Sequence, residues 1–172
     1  TKLLHTYGGM LLPNSTIVLK DMKSLYDEKI SGNRMFTGEM NNRSDSNAYT
    51  RFGPTHKLLG CIKGCDSMKK LSEHLEILVS KDNTDQPNFE GNVNRYLRKL
   101  MNEGKCNIIC GKGLGTKNKE NKVVMIEQLL EESPLELCMC SLYCIILPDE
   151  EKLSRTKYQW FARLSPKQVL LG

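Results

Sequence analysis

Gly111, Gly113 and Gly115, interleaved with Lys112 and followed by Thr116, Lys117, Asn118 and Lys119, form the passage best suited to chemistry. A glycine-rich turn lets backbone N–H groups converge, and lysines beside it add positive charge. The pattern predicts an anion-binding surface built on Gly111, Gly113 and Gly115, to which Lys112, Lys117, Lys119 and Lys122 contribute. Two familiar nucleotide loops are excluded. The passage lacks the Gly-Lys-Ser/Thr ending that places phosphates and magnesium, and its glycines alternate without the final spacing of the dinucleotide fingerprint. The other reading of the same residues is a strand-to-helix connection whose lysines are simply solvated.

Seven cysteines are an odd number, and several lie in or beside apolar segments, where a thiol behaves as a small hydrophobe. They read as reduced, in the cytosol or nucleus. Cys61-x3-Cys65 and Cys106-x3-Cys110 contain enough thiols for zinc, but zinc knuckles use a two-residue gap and a tight turn. Strand alternation would put Cys106 and Cys110 on one face, packed inward, so core filling is the expectation, with no metal and no cofactor. His5, His56 and His74 are remote from one another in sequence, and no paired carboxylates or His-Glu motif stand at ligand spacing. A non-enzyme is expected. Tyr158, Trp160 and Phe161 form an aromatic cluster that serves either as an interaction surface or as a core anchor.

The elements that position these residues follow from periodicity. At 172 residues the chain is long enough for a self-sufficient core, and 1–172 reads as one α+β domain, with mobile loops near 39–54 and 81–90. A formal net charge of +5 favours acidic partners. Leu3 to Lys20, punctuated by Gly8-Gly9 and Pro13-Asn14, predicts an N-terminal β-hairpin or three-stranded meander. Asp21 caps a helix carrying Met22, Leu25, Tyr26 and Ile30, which closes at Ser31-Gly32-Asn33. His56 to Ile62 reads as a strand, and Asp66 or Ser67 caps a helix striped by Met68, Leu71, Leu75 and Leu78. Val93, Tyr96, Leu97, Leu100 and Met101 mark the inward face of the next helix, with Gly104 just past its end.

Cys106 to Cys110 is an apolar strand, the glycine loop follows it, and a helix is expected from Lys122 to Glu132. Leu135 to Leu147, apolar on both alternations, predicts a central strand, too short for a membrane span of roughly 20 residues. The architecture expected is several amphipathic helices packed on a small mixed sheet. The first residue is Thr rather than Met, so the native N-terminus is expected to have been removed or to lie ahead of Thr1; with no signal peptide in the chain, a non-secreted protein without a transmembrane segment is the expectation.

Two family resemblances add to this reading. The stretch from Gly8-Gly9 through Pro13-Asn14 and on to Lys23-Ser24-Leu25-Tyr26-Asp27-Glu28-Lys29-Ile30-Ser31-Gly32-Asn33-Arg34-Met35 resembles the hairpin and first helix of rhabdovirus matrix proteins. Leu135-Glu136-Leu137-Cys138-Met139, then Asp149-Glu150-Glu151 and Trp160, is similar to the late strand and Trp-bearing segment of the same family, in the same order. This resemblance implies a non-enzymatic, self-associating assembly protein of a negative-strand RNA virus. Its implied partners are nucleoprotein-RNA or other nucleic acid, a peripheral anionic membrane surface, and further copies of itself as a homo-oligomer. Its implied locations are the host cytoplasm or nucleus and the virion. The family's Pro-Pro-x-Tyr budding motif is missing. The alternative resemblance is to the small MutS-related (Smr) domain, whose strand-Gly-Lys-Gly-x-Gly-helix passage is similar to Ile108 to Gly115. Cys110 stands where that family carries a His, which implies a nucleic-acid-binding domain with a degenerate nuclease site.

Overall fold

Met35 and Phe36 are neighbours in one strand, and both are fully buried, yet they belong to different hydrophobic cores. Side chains alternate along a strand, so this sheet must be covered on both faces. The computed structural model describes residues 1–41, 52–81, 86–124 and 142–146. In chain order the elements are α1 (Lys2–Tyr7), β1 (Gly9–Leu11), β2 (Thr16–Val18), α2 (Met22–Lys29), β3 (Met35–Asn41), β4 (Phe52–Cys61), α3 (Asp66–Ser80), α4 (Gln86–Asn102), β5 (Cys106–Ile109) and β6 (Cys144–Ile146). The fold is α+β with N-terminal strands. A four-stranded mixed sheet runs β1-β4-β3-β5, with β3 parallel to β5 and the other pairs antiparallel, and β2 pairs with β6 in a second, two-stranded sheet.

One face of the larger sheet packs against α3 and α4. Met68, Leu71 and Leu78 of α3 and Val93, Leu97 and Leu100 of α4 meet Met35, Leu59 and Cys106 of the sheet. With partly buried Leu75 between Leu71 and Leu78, the helix residues recur every three or four positions, which is why periodicity identifies both helices. The other face packs against α2, the glycine loop and the smaller sheet, through Leu25, Phe36, Leu58, Ile109, Leu114, Cys144 and Ile146. Asp21 caps α2 as its sequence position predicts, accepting from the Lys23 and Ser24 N–H groups at 3.0 and 3.1 Å.

The predicted N-terminal hairpin or meander is corrected. Residues from Lys2 to Tyr7 are helical, β1 pairs with β4, and β2 pairs with β6. The turn at Pro13 forms, with the Thr16 N–H and hydroxyl donating to its carbonyl at 3.2 and 2.7 Å, but each flanking strand finds a distant partner. Partly buried Leu4 and Met10 pack on different cores, which separates the two halves of the expected hairpin.

The predicted loop at 39–54 is corrected at both ends. Glu39 to Asn41 continue β3 and Phe52 to Pro54 begin β4, in register Glu39↔Pro54, Met40↔Gly53 and Asn41↔Phe52. Polar residues hide this extension because cross-strand hydrogen bonds hold it, whatever the hydropathy pattern. At 81–90 the helix α4 already begins at Gln86. The rest of both loops, 42–51 and 82–85, lies outside the described residues.

Register between β3 and β4 shifts at Thr37/Gly38. Thr37 is fully buried there, and its hydroxyl donates to the Thr55 carbonyl at 2.6 Å and accepts the Thr55 N–H at 3.2 Å, replacing the interrupted ladder. Among the described residues no helix is long and apolar enough to cross a membrane.

Candidate functional site

The glycine passage leaves β5 at Cys110 and folds back on itself. Parallel pairing places Ile109 beside Gly38, so the chain emerges next to Glu39 on the neighbouring strand. The Glu39 carboxylate accepts the Gly111 N–H at 2.8 Å through Oε2 and the Lys117 ammonium at 2.9 Å through Oε1. Both side chains are largely enclosed, with 13% of Lys117 and 17% of Glu39 exposed. The Lys117 ammonium also lies 4.5 Å from the centre of the Phe52 ring. The Thr116 hydroxyl donates to the Glu39 carbonyl at 2.9 Å, which ties a third residue of the loop to β3.

Four more of the loop's backbone donors also turn inward. Gly113 N–H donates to the Cys110 carbonyl, and the N–H groups of Leu114, Thr116 and Lys117 all converge on the carbonyl of Gly111 at 3.0–3.2 Å. Donors spent in this way cannot cradle an external phosphate. The negative charge at this turn is the protein's own Glu39.

The loop's carbonyls are engaged too. Gly113 accepts the N–H groups of Tyr143 and Cys144, and Leu114 accepts that of Ile146. Gly115 sits beneath this segment at φ +67°, where a Cβ would stand 3.2 Å from Ile145 Cα. Only glycine adopts that conformation without strain and also admits so close a backbone. The passage thus fastens β6 to the end of β3.

The predicted lysines do not converge. Lys112 donates to the Lys119 carbonyl at 3.1 Å, Lys117 is held by Glu39, and Lys122 pairs with Glu120 at 2.6 Å on the exposed surface. Lys119 is exposed, and also engaged within the fold. Gly111, Gly113 and Gly115 are buried. Nor does a helix open at Lys122: Lys117 and Val123 form an antiparallel bridge, and Asn118 accepts the Lys122 N–H at 2.8 Å. The remainder of that expected helix, 125–132, lies outside the described residues, as do most of the expected central strand and Tyr158, Trp160 and Phe161. Within 142–146 the strand is short and pairs with β2 alone.

Cys61, Cys65, Cys106 and Cys144 are buried, whereas Cys110 is exposed, contrary to the same-face expectation for Cys106 and Cys110. The strand ends at Ile109, so alternation stops before Cys110 is reached. Burial pushes the Cys106 thiol up to about 12 and the Cys144 thiol up to about 11. Among the described residues no group of three or more His, Cys, Asp or Glu side chains is disposed to hold a metal ion.

A surface missed by the motif reading lies elsewhere. Leu3, Tyr7, Leu11, Ile17, Val18 and Leu19 are exposed near the start of the chain, as are Ile77 and Val79 at the end of α3. Leu3 and Val79 are 74% and 67% exposed and line one shallow groove between α1 and α3, with Leu75 on its wall. Lys2 and Glu76 pair at 2.6 Å at that groove. Leu3 alone carries no motif, and only the docking of α1 on α3 gives it apolar neighbours. No family model, no curated protein and no solved structure matches this chain.

Proposed function

We propose that this chain is a non-enzymatic assembly protein that associates with copies of itself and with an anionic partner, in the manner of the viral matrix proteins its sequence resembles. The observation that carries the reading is the concentration of exposed apolar side chains at the start of the chain and the end of α3. Leu3, Leu75 and Val79 line one groove, and exposed apolar side chains gathered in this way mark a contact site. The occupant of the α1–α3 groove is a second copy. Lys2 and Glu76 neutralise each other at the groove, which leaves Leu3, Leu75 and Val79 as the apolar surface a second copy would cover.

Light scattering across a concentration series tests this half of the proposal. The wild-type chain is expected to gain mass with concentration, and Leu3→Ser combined with Val79→Ser to stay smaller at the same concentration. A wild-type chain that stays monomeric throughout overturns self-association. The anionic partner is supported by the net charge of +5 and is read as nucleoprotein-RNA or an acidic membrane surface. Lys112→Gln with Lys119→Gln is expected to weaken binding to RNA or to phosphatidylserine vesicles at low salt. Unchanged affinity for both removes the loop from that role.

A further inference from the structure

Ile17 and Val18 of β2 and Leu19 just beyond it are consecutive apolar residues, each roughly half exposed at the rim of the smaller sheet. The hydrogen bonds of β6 fix which way β2 faces. The Cys144 and Ile146 N–H groups donate away from β2, to the carbonyls of Gly113 and Leu114 at 3.3 and 3.1 Å. Backbone direction alternates along an antiparallel pair, so Ile145, between them, bonds with Ile17 opposite it. The Leu19 N–H turns the same way, donating to the Tyr143 carbonyl at 3.0 Å. Val18, between Ile17 and Leu19, therefore points its N–H and C=O outward, where β2 has no neighbouring strand among the described residues. The edges of the larger sheet differ: β5 has no exposed residue, and the Gly9 N–H of β1 donates to the Tyr26 hydroxyl at 3.3 Å. An open edge with exposed apolar side chains is a template for a further strand.

We propose that β2 pairs antiparallel with β2 of a second copy, about a two-fold axis at Val18, so that the two small sheets join into one of four strands. The pairing rests on the self-association proposed above and gives it a second surface, made of different residues from the α1–α3 groove. β2 is its own complement. At the axis each Val18 N–H meets the Val18 carbonyl of the other copy, which satisfies both outward groups at once. A register centred on Ile17 would instead set Val18 opposite Thr16, whose N–H already donates to the Pro13 carbonyl at 3.2 Å. One of the two hydrogen bonds at each such pair would then be lost.

The side chains fit the same register. Val18 faces Val18 on one side of the joined sheet, and Ile17 faces Leu19 twice on the other, so all six exposed apolar residues gain an apolar neighbour. Lys20 stands opposite Thr16, and no like charges oppose each other. A chain with two separate two-fold surfaces, this edge and the groove, grows beyond a dimer.

Residue-resolved amide exchange on the wild-type chain across a concentration series decides the matter. In dilute protein the Ile17 and Leu19 amides are expected to exchange slowly and Val18 freely; at high concentration Val18 is expected to slow by about tenfold or more. Val18→Lys sets two ammonium groups face to face at the axis and is expected to stop growth in light scattering at two copies, held by the groove. Leu3→Ser with Val79→Ser is expected to stop at two copies as well, held by β2, and the triple variant to stay monomeric. Chains carrying Ile17→Cys mixed with chains carrying Leu19→Cys, both also Cys110→Ser, are expected to form the mixed disulfide in excess over same-variant dimers. Wild-type mass that grows while Val18 keeps its dilute exchange rate overturns the β2 contact and leaves the groove standing; mass that does not grow overturns both. Val18 protection that is independent of concentration also overturns the proposal. The exchange measurement needs no variant, so it decides even where Val18→Lys fails to fold.

Discussion

Lys117 shows how a residue's surroundings decide its chemistry. Counted in the sequence it is one more positive charge in a basic glycine passage, but its partner Glu39 stands 78 residues earlier in the chain. No local pattern connects the two; parallel pairing of β3 with β5 brings them together. Removing either member leaves a largely enclosed charge or an unmet donor, which costs about 1–3 kcal/mol. Lys117→Met and Glu39→Gln are each expected to lower stability to denaturant by that much. The double variant should lose less than the sum of the two, with a coupling of about 0.5–3 kcal/mol. Were Lys117 a partner-binding lysine alone, Lys117→Met would leave the denaturation midpoint in place.

At the scale of elements, the long helices α3 and α4 were legible, though Cys65 and not Asp66 or Ser67 stands at the N-cap of α3; the short α1 and the sheet pairings were not. Met68, Leu71, Leu78, Val93, Leu97 and Leu100 repeat at helical spacing because each helix buries one stripe, and that is a property of the local sequence. Strand partners are chosen across the chain, so nothing near Gly9–Leu11 or Thr16–Val18 identifies β4 or β6 as their mates. Side-chain contacts between the helices are likewise hidden in the sequence. His74 of α3 stacks on Tyr96 of α4, the rings 4.0 Å apart and 11° from parallel. Burial, then the charges of Lys81 and Lys99, hold the imidazole below its ordinary value of 6.5. The unfolded chain therefore binds this proton more readily than the folded one. The stability His74 contributes is full above the unfolded value and is lost as pH falls through it toward the lower folded value. Denaturant stability is expected to fall as the pH is lowered from above to below the ordinary imidazole range. His74→Phe, which keeps a ring against Tyr96, should flatten that dependence; an unaltered slope would place its origin elsewhere.

For the molecule as a whole, the glycine passage joins the two sheets. On one side it is tied to β3 through Glu39, and on the other its Gly113 and Leu114 carbonyls receive the N–H groups of Tyr143, Cys144 and Ile146. Leu114, fully buried, packs in the same core as Phe36 of the larger sheet and Ile146 of the smaller one. This arrangement explains why a passage that looks like an anion cradle has most of its backbone donors turned inward: its first task is to hold the smaller sheet in place. Gly115→Ala tests that task directly, since the added Cβ meets Ile145 and the backbone must keep φ +67°. The strained conformation alone costs about 1–2 kcal/mol. Damage should be confined at first to β2 and β6, because β3 and β4 keep their own ladder and the α3–α4 core does not touch the loop. Amide exchange in 16–18 and 142–146 is expected to quicken, while 35–41 and the buried turns of α3 and α4 keep their protection. Uniform loss of protection across both sheets would show instead that they unfold together and that the loop does not separate their stabilities.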